Sequence, residues 1–153
     1  MTVFSFDSQL EKGTLGETQF VLDYPQFSKN PCITGCDFID KELGYKVELK
    51  TDYHPIESTP NFFIERYSSI EAKSDGGPWQ AFNKGALWYV YRFNNHNTYY
   101  WILLSKLSIY LLEKITKNSK LKIIANERYS TAGYLVKREE LLLKMPNCYK
   151  DEK

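Results

Sequence analysis

Asp37, Glu48 and Lys50 have the side-chain types and spacing needed to handle a phosphodiester. Residues 33–40 and 45–51 read as short β-type runs, and Lys41-Glu42-Leu43-Gly44 between them ends in a turn-forming glycine, so the two runs predict a hairpin. A turn symmetric about residues 42 and 43 pairs Asp40 with Tyr45 and sets Asp37 opposite Glu48, with Cβ atoms about 4.5–5.5 Å apart. Glu48 and Lys50 are two residues apart in an extended strand. They leave one face roughly 6.5–7 Å from each other, while Val47 and Leu49 point to the core. Opposed carboxylates repel, at about 0.2–1 kcal/mol in water and more when partly buried. A hard divalent cation offsets that repulsion, because Mg²⁺ takes oxygen ligands from one or two carboxylates together with substrate phosphate. Lys50 would then bind the scissile phosphate or lower the pKa of the attacking water. Taken alone, the spacing fits an exposed hairpin with solvated charges better, by roughly three to one, since short strings of this kind recur by chance.

The elements that must position these residues can be read along the chain. Asp7 or Ser8 caps a predicted helix through Tyr24, with Leu10, Phe20, Tyr24 and the pair Leu15 and Leu22 as its buried positions and Pro25 as its stop. Gly13 and Gly16 inside it each cost about 0.8–1 kcal/mol relative to Ala, which points to a close approach of the helix to the sheet or a substrate. Glu17 falls on the inward side, either as the partner of a core lysine or as a further acidic member of the site. After the hairpin come a loop over 53–60, a third strand over 61–68 carrying Glu65, a polar Gly-rich loop over 71–78, and at most a short helix over 79–84. Strands over 86–93 and 98–104 are joined by Asn94-Asn95-His96-Asn97, which has hairpin-turn composition. An amphipathic helix over 106–117 presents Leu107, Tyr110, Leu111 and Lys114 at helical spacing. Strands near 121–125 and 134–137 and a helical turn over 138–143 complete a single domain, 1–144, followed by a loose tail, 145–153.

The chain has 153 residues, 42% hydrophobic and 25% charged, which fits one domain, and its 16% aromatic content supplies a core. No apolar run reaches the roughly 20 residues a bilayer requires, and the first seven residues lack a basic segment followed by an apolar one, so no membrane role and a cytoplasmic location are expected. Three cysteines are too few for a disulfide framework, and Cys32-x3-Cys36 has no second ligand pair to complete a zinc site. Residues 1–100 carry 9 Lys and Arg against 13 Asp and Glu, a net of −4, whereas residues 101–153 carry 11 against 6, a net of +5. An acidic half joined to a basic half suits cation coordination beside phosphate binding, although a lysine-rich solvated surface explains the second half almost as well.

Gly13-x-x-Gly16-Glu17, Gly35-Cys36-Asp37-Phe38-Ile39 and Val47-Glu48-Leu49-Lys50-Thr51-Asp52, in that order, resemble the PD-(D/E)XK nuclease superfamily. Asn61-Phe62-Phe63-Ile64-Glu65 and residues 77–93 look like small stand-alone nuclease domains of phage and prophage genomes. The proline usually written before the first aspartate is Cys36 here, at a position that supplies no metal ligand. The resemblance spans roughly residues 8–140. It implies an α/β, restriction-endonuclease-like fold, a central mixed β-sheet flanked by helices in αβββαβ order. It further implies Mg²⁺ or Mn²⁺ held by Asp37, Glu48, the Leu49 carbonyl and Glu17, with Lys50 as a catalytic residue beside Asp37 and Glu48. Glu65, Gln80 and Lys84 are accessory candidates, each with a plain structural explanation: an ion pair of Glu65 with Arg66, Lys84 or Arg92, and surface positions for the other two. The implied activity is a DNA endonuclease leaving 5′-phosphates, with structured DNA as one substrate and, if phage-encoded, acting in the host cytoplasm. One site per domain means that cutting both strands would call for a homodimer. The alternatives are an inactive nucleic-acid-binding or protein-interaction module on the same fold, and an RNA-cleaving endonuclease.

Overall fold

A computed structural model describes residues 5–153, apart from the side chain of Phe6; the first four residues of the stretch read above for a leader lie outside the described residues. The elements are α1 (Phe6–Asp23), β1 (Phe27–Lys29), β2 (Phe38–Asp40), β3 (Lys46–Asp52), a 3-10 turn (Ile56–Ser58), β4 (Asn61–Ser69) and β5 (Ser74–Asp75). They continue with α2 (Gly77–Asn83), β6 (Ala86–Phe93), β7 (Thr98–Leu103), α3 (Lys106–Thr116), β8 (Leu121–Ala125), β9 (Ser130–Lys137), α4 (Arg138–Lys144) and β10 (Cys148–Glu152). The architecture is α/β. A mixed six-stranded sheet runs β1-β2-β3-β6-β7-β10, in which β3 and β6 are parallel and every other pair is antiparallel. An antiparallel sheet, β5-β4-β9-β8, stands apart from it.

Two apolar layers hold the central sheet, one on each face. α1 covers one face with Phe20 and Tyr24, which meet Phe38, Val47, Val90, Tyr99 and Trp101. On the other face, Tyr89, Tyr91, Phe93, Tyr100 and Ile102 pack against Phe62 and Ile64 of β4, Trp79 of α2, Leu112 of α3 and Leu141 of α4. β6 lies between both layers and is buried at Ala86 and from Tyr89 through Phe93, as a strand with apolar cover on both sides must be. Among the described residues no helix is long and apolar enough to cross a membrane.

Several expectations are corrected. The cap of α1 is Ser5, whose Oγ accepts the Ser8 N–H, rather than Asp7 or Ser8. Leu10, Leu15 and Leu22 are 59%, 59% and 70% exposed. The helix docks instead through the stripe Gly16, Phe20 and Tyr24, one residue per turn, which leaves its leucines facing outward. α3 likewise turns Leu107 and Tyr110 outward and buries Ser108, Leu112, Ile115 and Thr116. Its hydroxyls tolerate burial because Ser108 Oγ donates to the Leu103 carbonyl at 2.6 Å and Thr116 Oγ1 to the Leu112 carbonyl at 2.9 Å. The strand expected over 61–68 forms, as β4, but belongs to the second sheet; β1, unread in the sequence, occupies the edge of the first. The tail expected to be loose supplies β10, which pairs with β7 along five residues and stacks Tyr149 on Trp101 with ring centroids 6.1 Å apart.

Candidate active site

β2 and β3 pair at only two positions, Phe38 with Val47 and Ile39 with Lys46. The strand expected from residue 33 is cut short because residues 30–35 fold back on themselves: Asn30 Oδ1 accepts the Cys32 N–H at 3.0 Å, and the Gly35 N–H reaches the Cys32 carbonyl at 3.1 Å. Asp37 therefore stands one residue before β2, where the two strands part. The Asp40 N–H meets the Tyr45 carbonyl at 2.9 Å, and the same register carried back sets Asp37 opposite Glu48, the geometry a symmetric turn dictates.

The fork leaves a gap beside β3, which Asp37 partly fills. The Leu49 N–H donates to Asp37 Oδ2 at 2.8 Å, and the Asp37 N–H donates to Glu48 Oε2 at 3.3 Å. In an extended strand the N–H and C=O of one residue project to the same edge, so the Leu49 carbonyl faces the gap as well. α1 closes the gap from one side. Gly16 is buried against β3 so tightly that a Cβ there would lie 2.2 Å from Thr51 Oγ1, which brings Glu17 to the mouth of the fork. The close approach read from the two glycines thus holds at Gly16 and not at Gly13, where a Cβ would meet nothing within 4 Å.

The result is a cleft of about 200 Å³ lined by Glu17, Asp37, Glu48, Leu49 and Lys50, together with Gln9, Lys12, Gly13, Thr51 and Tyr53. Burial pushes the Asp37 carboxyl up to about 6; the Glu17 charge adds to this, and the Leu49 N–H, Lys84 and Lys29 oppose it. Burial likewise raises Glu48 to about 7, with the Asp37 charge adding and Lys84 opposing. Three carboxylates thus bear on one another in a small, poorly solvated space. The nearby cations are held loosely: Lys84 Nζ lies 3.7 Å from Glu48 Oε1, and Lys29 Nζ lies 3.0 Å from Glu17 Oε2 with its side chain 69% exposed.

The oxygen-only donor set of Asp37, Glu48, Glu17 and the Leu49 carbonyl fits a hard divalent cation. Among the described residues no three His, Cys, Asp or Glu side chains stand close enough to enclose an ion as arranged. Glu17 is drawn toward Lys29 and Glu48 toward Lys84. Releasing a surface pair such as Glu17–Lys29 costs about 0–1 kcal/mol.

The accessory candidates fall elsewhere. Lys84, at the end of α2, stands behind Glu48 rather than on the cleft wall, and half-buried Gln80 is not among the lining residues. Glu65 also lies off the cleft, where burial raises its pKa and the Lys50 charge opposes; Arg66, Lys84 and Arg92, considered as its partners in the sequence, meet Asp75, Glu48 and the Asn94–Asn97 turn instead. Gln9, Lys12 and Tyr53 were missed. Gln9, Gly13 and Glu17 recur every fourth residue, a polar stripe that marked this face of the helix in the sequence. Tyr53 left no such signal. Its hydroxyl donates to the Lys12 carbonyl at 2.7 Å, and Lys12 Nζ sits 5.5 Å from its ring centroid, tying the exit of β3 to α1. The chain matches no protein-family model, no curated protein and no solved structure.

Proposed function

We propose that this chain is a divalent-metal-dependent nuclease that hydrolyses phosphodiester bonds of DNA and leaves 5′-phosphates, built on a restriction-endonuclease-like core. One observation carries the reading: Glu17, Asp37, Glu48 and Lys50, from a helix, a loop end and a strand, line a single cleft at the β2–β3 fork. The element order supports it too. Within the layers of the central sheet the chain runs α1, β1, β2, β3, α2, β6, the αβββαβ order the resemblance implies, with β4 and β5 diverted to the second sheet.

Asp37, Glu48 and the Leu49 carbonyl would hold Mg²⁺ or Mn²⁺, with Glu17 joining once it leaves Lys29. A bound ion of this kind polarises the phosphoryl oxygen, acidifies water and offsets charge on the leaving oxygen. Lys50, on the cleft wall, would stabilise the negative charge that builds on the phosphate oxygens or orient the attacking water. Lys12 and Gln9, also in the lining, would offer a cation and an amide to the flanking backbone, contacts that fix position rather than sequence. Burial, with the neighbouring carboxylates adding, raises the pKa of both Asp37 and Glu48, so cation entry would be coupled to proton release.

Cleavage of supercoiled plasmid and of branched DNA in Mg²⁺ tests the proposal. Wild type converts the substrate to nicked or linear product, EDTA stops it, and Lys50→Ala and Asp37→Ala each lose about 100-fold or more in rate. Undiminished cleavage by both variants removes the activity from this cleft.

A further inference from the structure

The second sheet ends on an unpaired strand. β8 (Leu121–Ala125) pairs with β9 alone, and among the described residues its backbone makes no hydrogen bond outside that ladder. Two contacts fix which of its groups face outward. The Asn126 N–H donates to the Tyr129 carbonyl at 2.8 Å, so at Asn126 the backbone points toward the β9 side of the hairpin. Ser130, opposite Ala125, instead accepts the Ile70 N–H at 2.9 Å and donates its own N–H to the Glu71 carboxylate, away from β8. Backbone direction alternates along an antiparallel strand, so Lys122 and Ile124 bond β9 while the N–H and C=O groups of Leu121, Ile123 and Ala125 face out from the edge. The other edges are short or guarded by charge. β1 has three residues and β5 two, whereas β10 carries Lys150, Asp151 and Glu152, with Lys150 paired to Glu152 at 2.7 Å. β8 has Lys122 as its single charge, and on the face opposite that lysine Leu121 and Ile123 are 38% and 61% exposed.

We propose that β8 pairs antiparallel with β8 of a second copy of this chain, about a two-fold axis at Ile123, joining the two β5-β4-β9-β8 sheets into one. The edge is self-complementary in this register. Ile123 meets its own copy and Leu121 meets Ala125 of the other chain, so every outward N–H and C=O of the strand finds a partner. Leu121 and Ile123 then cover apolar surface across the axis, on the face where β9 presents buried Ala132. Lys122 falls opposite Ile124 rather than opposite a second cation. Moving the axis to Lys122 would set that lysine against itself, and moving it to Ile124 would leave Leu121 with no strand residue opposite. A two-fold contact of this kind closes on itself and stops at a dimer. No residue of β8 lines the cleft, so the dimer carries two open clefts, as cutting both strands of a duplex requires. That consequence rests on the nuclease reading, whereas the association does not.

Sedimentation of the full chain, without DNA or metal, over about a hundredfold range of concentration reaching the high micromolar tests the proposal. Wild type is expected to pass from monomer to dimer. Ile123→Lys sets two like charges on the axis, and Ile123→Pro removes an outward N–H while leaving the β9 ladder whole; each raises the dimer Kd about 10-fold or more. Leu22→Lys, at an exposed apolar position on α1, leaves the Kd within about twofold. Amide hydrogen exchange read residue by residue needs no variant: Leu121, Ile123 and Ala125 slow as concentration rises, whereas Lys122 and Ile124 are slow throughout. A wild type that stays monomeric over the whole range overturns the proposal. So does a dimer undiminished in whichever Ile123 variants fold, or protection of the three outward amides that is equal at every concentration, as a covering segment of the same chain would give. A wild type that dimerises in this way and never cuts DNA refutes the proposed function alone.

Discussion

Neutralising Asp37 should make the metal-free protein more stable, an unusual outcome for a polar substitution at a buried position. In Asp37→Asn the amide oxygen still accepts the Leu49 N–H, so what changes is the charge. Burial, with Glu17 adding, raises the Asp37 pKa from 3.8 to about 6, so the folded protein binds this proton more tightly than the unfolded chain does. A carboxyl raised in this way costs nothing below pH 3.8; its cost grows as pH rises to about 6 and is constant above. Two units correspond to about 3 kcal/mol at most, and partial solvation of the cleft brings the expected gain for Asp37→Asn to about 1–3 kcal/mol at pH 8. For a domain of this size that is roughly 2–10 °C in Tm. Thermal or urea melts in EDTA at pH 4, 6 and 8 measure it: the two proteins coincide at pH 4 and diverge by pH 8. Saturating Mg²⁺ should invert the order, since about 1,000 times Kd adds about 4.1 kcal/mol to the protein that binds it. A variant that is less stable than wild type at pH 8 in EDTA, or a difference that does not vary with pH, would show that the buried Asp37 charge does not destabilise the metal-free fold.

Gly16→Ala drives a methyl into Thr51 and is expected to cost about 1–3 kcal/mol and weaken cleavage by shifting Glu17, whereas Gly13→Ala, with open space around it, gains about 0.5–1 kcal/mol; chemical denaturation separates the two, and equal effects would contradict the docking of α1. Lys29→Ala should change stability by less than about 1 kcal/mol yet tighten Mn²⁺ binding about two- to fivefold by freeing Glu17, as read by calorimetry; weaker binding would count against Glu17 as a ligand. Deleting residues 146–153 removes β10, the Tyr149 stack on Trp101 and the Asp151 carboxylate that accepts the Tyr24 hydroxyl at 2.6 Å, and should cost about 2–4 kcal/mol with a red shift in tryptophan emission; an unchanged melt would return the segment to a loose tail.

The alternation of Val47, Glu48, Leu49 and Lys50 and the symmetry of the turn made the register of the fork legible, because both are local properties of two adjacent strands. Gly16 was legible for the same reason: a helical glycine has a cost that something nearby must offset, and Thr51 occupies the space. What escaped the sequence depends on partners distant along the chain. Leu15 and Leu22 have the spacing of a buried stripe, but the large rings of Phe20 and Tyr24 decide the docking face through their contacts with Phe38, Tyr99 and Trp101. β4 reads as a third strand of the first sheet, yet six of its nine residues, between Asn61 and Tyr67, pair with β9, some 70 positions onward, a partner that no local pattern names. β10 is short and polar and becomes a strand only because β7 presents an open edge beside it. Lys29, which holds Glu17, and Tyr53, which ties α1 to β3, belong to the same group: each acts through one long-range contact.

The proposed function requires Asp37, Glu48 and Glu17 to act on one divalent cation. Calorimetric titration with Mn²⁺ at pH 8 tests this most directly. It predicts a single saturable site in wild type that is lost in Asp37→Asn and in Glu48→Gln, weakened in Glu17→Gln, and retained in Lys50→Met. No binding at millimolar Mn²⁺, or binding undiminished in Asp37→Asn and Glu48→Gln, would contradict it.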